Sequence, residues 1–113
     1  MKIDLNEIIA YMEKTDPENW LVGRVRDKEG KGCCMSHIFD LYGGDERNED
    51  GFTKGSIAWD IFEEIYATTY MIYPVNDGEN PKYQQATAKE RVIAYLKDLR
   101  DGKEKTSSQL MRS

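Results

Sequence analysis

Apolar residues recur at helical spacing in four places along this chain. Leu5, Ile8, Ile9 and Met12 fall at i, i+3, i+4 and i+7, one face of a helix over about residues 5–14. Asp4 and Glu7 have capping-box spacing at its start, and Thr15-Asp16-Pro17 stops it, because a residue before proline avoids helical backbone. Cys34, Ile38 and Leu41, flanked by Met35, Phe39 and Tyr42, predict a second helix ending at Gly43-Gly44. Trp59, Phe62 and Tyr66, with Ile61 and Ile65, give a third over about 57–67, with Ser56 as its N-cap. Val92, Leu96 and Leu99 stripe a fourth over about 88–101, opened by Thr87-Ala-Lys-Glu90 and stopped by Gly102.

Between these stretches the period changes. Trp20 to Arg26 is rich in β-formers and Asp27-Lys-Glu-Gly-Lys-Gly32 is turn material, so a short hairpin is expected, about 20–26 pairing with 31–34. Thr68 to Tyr73 turns β-branched and aromatic and reads as a short strand or extended segment. Pro74 to Pro81 is turn chemistry throughout, in which Gly78 takes a positive φ and the Asn76 and Asp77 side chains cap backbone groups. The expected fold is therefore α+β and mainly α: about four helices with a small β-hairpin, one compact domain over 1–102, and a flexible tail over 103–113. Residues 43–55 form a long polar loop whose one apolar anchor is Phe52.

Composition narrows the function classes. A chain of 113 residues suits one core without metal or disulfide staples. A net charge of -5 argues against a nucleic-acid face, which needs clustered Lys and Arg. No apolar run approaches a membrane span and the N-terminus has no signal-peptide core, so a cytoplasmic protein is expected. Cys33 and Cys34 are adjacent, and a disulfide between them would close a strained ring, so free thiols are expected.

Trp20, Gly32-Cys33-Cys34 and Val75-Asn76-Asp77-Gly78, the last feeding Lys89 to Leu96, resemble the pattern of a small, functionally uncharacterised helical domain family of bacteria and phages. There a Trp precedes a Gly-rich turn, a Gly-Cys step enters a helix, and an Asn-Asp turn leads to the last helix. The resemblance covers most of residues 5–100 and implies a phage or bacterial origin; it implies no activity. Met35-Ser36-His37 departs from the small and apolar residues usual after the Cys, so His37 is not carried over.

Candidate chemistry centres on Gly30 to Gly44, which holds both cysteines and the one histidine. A thiol at a helix N-terminus can be nucleophilic, and His37 lies four residues from Cys33. A catalytic set would be Cys33 or Cys34 as nucleophile, His37 as base and Asp77 as orienting group, against the plainer reading of a packed Cys34 and an ordinary polar His37. No metal is expected, because two Cys and one His fall short of the usual ligand number without a distant carboxylate. Asp45, Glu46, Glu49 and Asp50 lack the spacing of a calcium loop. Seven tyrosines and two tryptophans could line a groove for a nucleotide-like or peptide ligand, with core packing the competing explanation. Asn80-Pro81-Lys82-Tyr83 matches an adaptor-recognised tyrosine signal by coincidence.

The leading expectation is a non-enzymatic binding protein without cofactors. It would occupy a host protein, as an inhibitor of host defence, or sequester a small nucleotide-like ligand. Its contact residues would be Trp20, Arg24, Arg26, Tyr73 and Asn76. The alternatives are a cysteine-dependent hydrolase and a structural accessory protein that forms a homodimer.

Overall fold

The structure, a computed structural model, describes residues 3–23, 27–42, 57–69 and 72–105. Five α-helices lie among them: α1 (Leu5–Glu13), α2 (Cys34–Tyr42), α3 (Ile57–Thr68), α4 (Ile72–Asn76) and α5 (Ala88–Arg100), with a 3-10 turn at Pro17–Asn19 after α1. The start signals act as the sequence implies. Asp4 accepts the N–H groups of Asn6 and Glu7, and the Thr87 hydroxyl accepts the Glu90 N–H at 3.1 Å. At the end of α5, Gly102 has φ +77 and the Lys103 N–H reaches back to the Asp98 carbonyl, closing a Schellman turn.

The core is one cluster. α1 turns in Ile8, Ile9 and Met12, α5 turns in Val92, Tyr95, Leu96 and Leu99, and α5 packs against both α1 and α4. α2 contributes Cys34, Met35, Ile38 and Phe39 and touches α1, α3, α4 and α5. α3 buries Ile65 but leaves Tyr66 exposed, although both were expected on its apolar face. Lys89 on α5 donates to the Glu13 and Thr15 carbonyls, closing the C-terminal end of α1. The first residues of the expected tail are fastened: Glu104 accepts from Lys82 Nζ and from the Tyr83 hydroxyl, both at 2.7 Å.

The hairpin is a correction. Among the described residues there is no strand, and the fold class is helical rather than α+β. One isolated bridge joins Trp20 to Gly32, and it is parallel: the Leu21 N–H donates to the Gly32 carbonyl and the Gly32 N–H to the Asn19 carbonyl. The next parallel rung would run from the Cys34 N–H to the Leu21 carbonyl. The Asn76 carboxamide occupies that place instead. Its Oδ1 accepts the Cys34 N–H at 3.0 Å and its Nδ2 donates to the Leu21 carbonyl at 2.8 Å. The Gly23 N–H, which would continue the ladder, goes to Asp77 Oδ1 at 3.0 Å. A side-chain amide thus stands in for a peptide group, and α2 begins where a second strand would have grown.

The expected extended stretch over 68–73 is also corrected: Thr68 ends α3, and Ile72 and Tyr73 open the short helix α4. Proline is no obstacle to α4, because Pro74 falls in its first turn, where N–H groups have no intrahelical partner. Gly78, at φ +76 as expected, ends it with a second Schellman turn, the Glu79 N–H reaching the Pro74 carbonyl. Ser56, Gly43-Gly44 and the polar loop over 43–55 lie outside the described residues.

Candidate functional site

The residues singled out from the sequence converge on the N-terminus of α2. Cys33 precedes the helix, and its carbonyl accepts the His37 N–H, the first bond of the helical ladder. Its polar neighbours include the Cys34 thiol and the backbone of Met35 and Ser36. These contacts, the Cys34 thiol foremost, hold the Cys33 pKa below the ordinary thiol value, against the opposing pull of burial and of the Asp77 charge. Cys34 moves the other way. Burial pushes its pKa well up, and the charge on Cys33 pushes it further. Both thiols are free; Cys33 keeps 3% of its surface and Cys34 none.

Asn76 is the hub beneath them. It is 0% exposed, and its second Nδ2 hydrogen goes to Asp77 Oδ1 at 3.0 Å. Its own carbonyl accepts from Arg91 Nη2 at 2.9 Å, while Arg91 Nε reaches the Val75 carbonyl and Nη1 the Gln85 carbonyl. The Arg91 fork therefore closes the carbonyl end of α4, whose last residue supplies the carboxamide. Tyr73, half-buried, lies close enough to the two cysteines and Asp77 for their charges to add to the burial that raises its hydroxyl pKa.

The remaining candidates are placed as follows. His37 is 8% exposed; its ring stacks on Trp20 with centroids 4.4 Å apart, and Nε2 lies 3.3 Å from the Asn19 carbonyl. Trp20 donates its indole N–H to the Thr15 hydroxyl at 2.8 Å. So the structure gathers Cys33, Cys34, Asn76, Asp77 and Tyr73 around one helix start, and it turns His37 toward Trp20 and Asn19. Arg24 and Arg26 lie outside the described residues. Tyr83, the tyrosine of the adaptor-like tetrapeptide, is buried edge-on against Tyr95, with its hydroxyl on Asp98 and Glu104.

Three contributors were missed by the sequence reading. Leu21 and Gly23 enter only through backbone groups, for which no side-chain signal exists. Arg91 reads as an ordinary polar residue of an amphipathic helix. Among the described residues, no group of three or more His, Cys, Asp or Glu side chains could hold a metal ion, and no helix is long and apolar enough to cross a membrane.

The fold and the site define a small helical domain knotted at one polar node. No protein-family model matches the chain, and neither a curated protein nor a solved structure was found to be similar to it.

Proposed function

We propose that this protein is a non-enzymatic binding protein and that the loop over 20–23 is a surface it presents to a protein partner. The observation that carries this reading is Val22. It is 53% exposed, the most exposed large apolar residue described, and its neighbours are pinned on both sides. Leu21 is held by Gly32 and Asn76, and Gly23 by Asp77. A loop held in one shape loses little freedom on binding, so its contacts convert efficiently to affinity. In this reading Trp20 and Asn76 act from beneath, shaping the loop rather than touching the ligand. An apolar tip suits a protein partner. A nucleotide-like ligand would draw instead on Arg24 and Arg26.

The test compares affinity capture by the wild type and by Val22→Asp, with unfolding measured alongside. The substitution is at an exposed position, so stability should change by less than about 0.5 kcal/mol. A partner retained by the wild type and lost by the variant is expected. Identical captured sets from both would sink the loop as the contact surface.

A cysteine-dependent hydrolase is the second reading, favoured by the place of Cys33 just before α2, where the Cys34 thiol and the helix-start backbone hold its pKa below the ordinary value. It predicts fast labelling of one native thiol near neutral pH. Thiols that react only on unfolding would end it.

A further inference from the structure

One face of α5 carries a pattern that its own fold does not use. Glu90, Ile93, Ala94 and Lys97 fall at i, i+3, i+4 and i+7, a single stripe along the helix. The stripe lines a shallow, open groove of about 460 Å³, to which Glu13 and Lys89 also contribute. Ile93 and Ala94 are half-buried: they lean on the core and leave the rest of their surface to the groove. The stripe is thus apolar in the middle and charged at its ends, with a carboxylate towards the start of α5 and an ammonium towards its end. We propose that this face docks on the same face of a second copy of the chain, the two α5 helices running antiparallel about a two-fold axis between Ile93 and Ala94. The proposal is independent of the surface at Val22.

A two-fold axis sets the partner of every residue. With the axis between positions 93 and 94, Ile93 faces the partner's Ala94, Glu90 faces the partner's Lys97, and Lys97 faces the partner's Glu90. A helix rises about 1.5 Å per residue, so the two charges of one stripe stand about 10 Å apart, too far to pair with each other. Their nearer neighbours along the stripe, three and four residues away, are the apolar pair. Among the described residues neither side chain joins an ion pair. The Glu90 carboxylate accepts the Thr87 hydroxyl at 3.0 Å, and Asp101, one turn beyond Lys97, is paired with Arg100 at 3.0 Å. The Lys89 ammonium is held by the Glu13 and Thr15 carbonyls and does not compete for Glu90.

Charge selects both the occupant and its direction. The chain carries a net charge of -5, so two copies repel each other over much of their surfaces. The groove is balanced instead, Glu13 and Glu90 against Lys89 and Lys97, and a copy can approach there without that penalty. Parallel docking would set Glu90 against Glu90 and Lys97 against Lys97; the antiparallel order pairs opposite charges at both ends. Ala94 at the centre leaves the two helices room to come close. α5 has 13 residues and is about 20 Å long, so the contact falls at the small end of protein interfaces and the dimer is a weak, exchanging one.

The experiment follows the mass of the full chain by sedimentation equilibrium from about 10 µM to about 1 mM, with amide NMR spectra over the same range. A monomer–dimer equilibrium is expected, with concentration-dependent shifts at Glu90, Ile93, Ala94 and Lys97. Glu90→Lys and Lys97→Glu should each weaken the dimer about tenfold or more, since each sets like charges together at both ends. An equimolar mixture of these two variants should dimerise again, because every contact between positions 90 and 97 across the axis then joins opposite charges. Glu90→Lys also loses the Thr87 contact, so circular dichroism checks that each variant is folded. Val22→Asp should leave the dimer unchanged. A chain still monomeric at about 1 mM, shifts centred away from α5, a dimer indifferent to both charge reversals, or a mixture that stays monomeric would each overturn the proposal, as would a dimer lost in Val22→Asp and kept in the charge variants. Sedimentation and shifts of the wild type decide the matter even where a variant does not fold.

Discussion

The α1–α5 seam and the Asn76 node hold the same domain together by opposite means. The seam is apolar and non-directional. Ile8, Ile9 and Met12 face Val92, Tyr95, Leu96 and Leu99 within one cluster, and its stability follows buried area and close packing. The node is polar and directional, because one buried carboxamide fixes the backbone at residues 21 and 34 with two hydrogen bonds and holds the Asp77 carboxylate with a third. The seam should tolerate changes of shape that conserve volume. The node should tolerate no change of chemistry even when shape is conserved.

The widest separation comes from the most conservative substitutions. Asn76→Asp keeps the outline of the side chain but puts a carboxylate where a donor stood, facing the Leu21 carbonyl and Asp77. It should destabilise by about 3–5 kcal/mol at neutral pH in urea unfolding, as for a buried unpaired charge. The sign of its pH dependence follows. The introduced carboxyl has a raised folded-state pKa, so the loss is smallest at low pH and grows as pH rises past the unfolded value near about 4. Leu96→Met, equally conservative in the seam, should lose less than about 1.5 kcal/mol. Equal losses from the two would erase the distinction between the regions.

Removing volume should make the seam sensitive after all: Leu96→Ala is expected to lose about 3 kcal/mol in the same measurement. Arg91→Lys is next. It keeps the charge but loses the fork that meets the Val75, Asn76 and Gln85 carbonyls, and about 1–2 kcal/mol should go, read as a lower melting temperature. The smallest effect is expected far from both regions. The Lys82 ammonium, with the Tyr83 hydroxyl, holds the Glu104 pKa below its usual range. The stability this adds is present above the unfolded carboxyl value and is lost as pH falls through the depressed folded one. Glu104→Gln should therefore flatten the acid limb of a stability–pH curve below about pH 5, by under about 1 kcal/mol for a partly exposed pair.

The same division explains what could be read from the sequence. The helix starts at Asp4 and Thr87, the stop at Gly102 and the turn at Gly78 are local devices whose signals lie within a few residues. The buried stripes of α1 and α5 are periodic and equally legible. The segment over 20–34 was not, because its state is decided by Asn76. Nothing in Trp20 to Cys34 says that a carboxamide from far along the chain will take the place of the next rung. The sequence marked Asn76 as a turn residue that caps backbone groups; which backbone it would cap was written elsewhere.

The carboxamide that replaces a rung also bears on how long the folded chain lasts. Asn76 joins Cys34 across 42 positions and Leu21 across 55. Contacts so distant close slowly, and these need α4 already seated on α5 before the side chain can reach. The node is then a late event in folding and an early one in unfolding. Stopped-flow kinetics of Asn76→Ala should show an accelerated unfolding limb and a nearly unchanged refolding limb. One amide would then govern the lifetime of the native state, while the helices that pack around it govern how fast that state is reached.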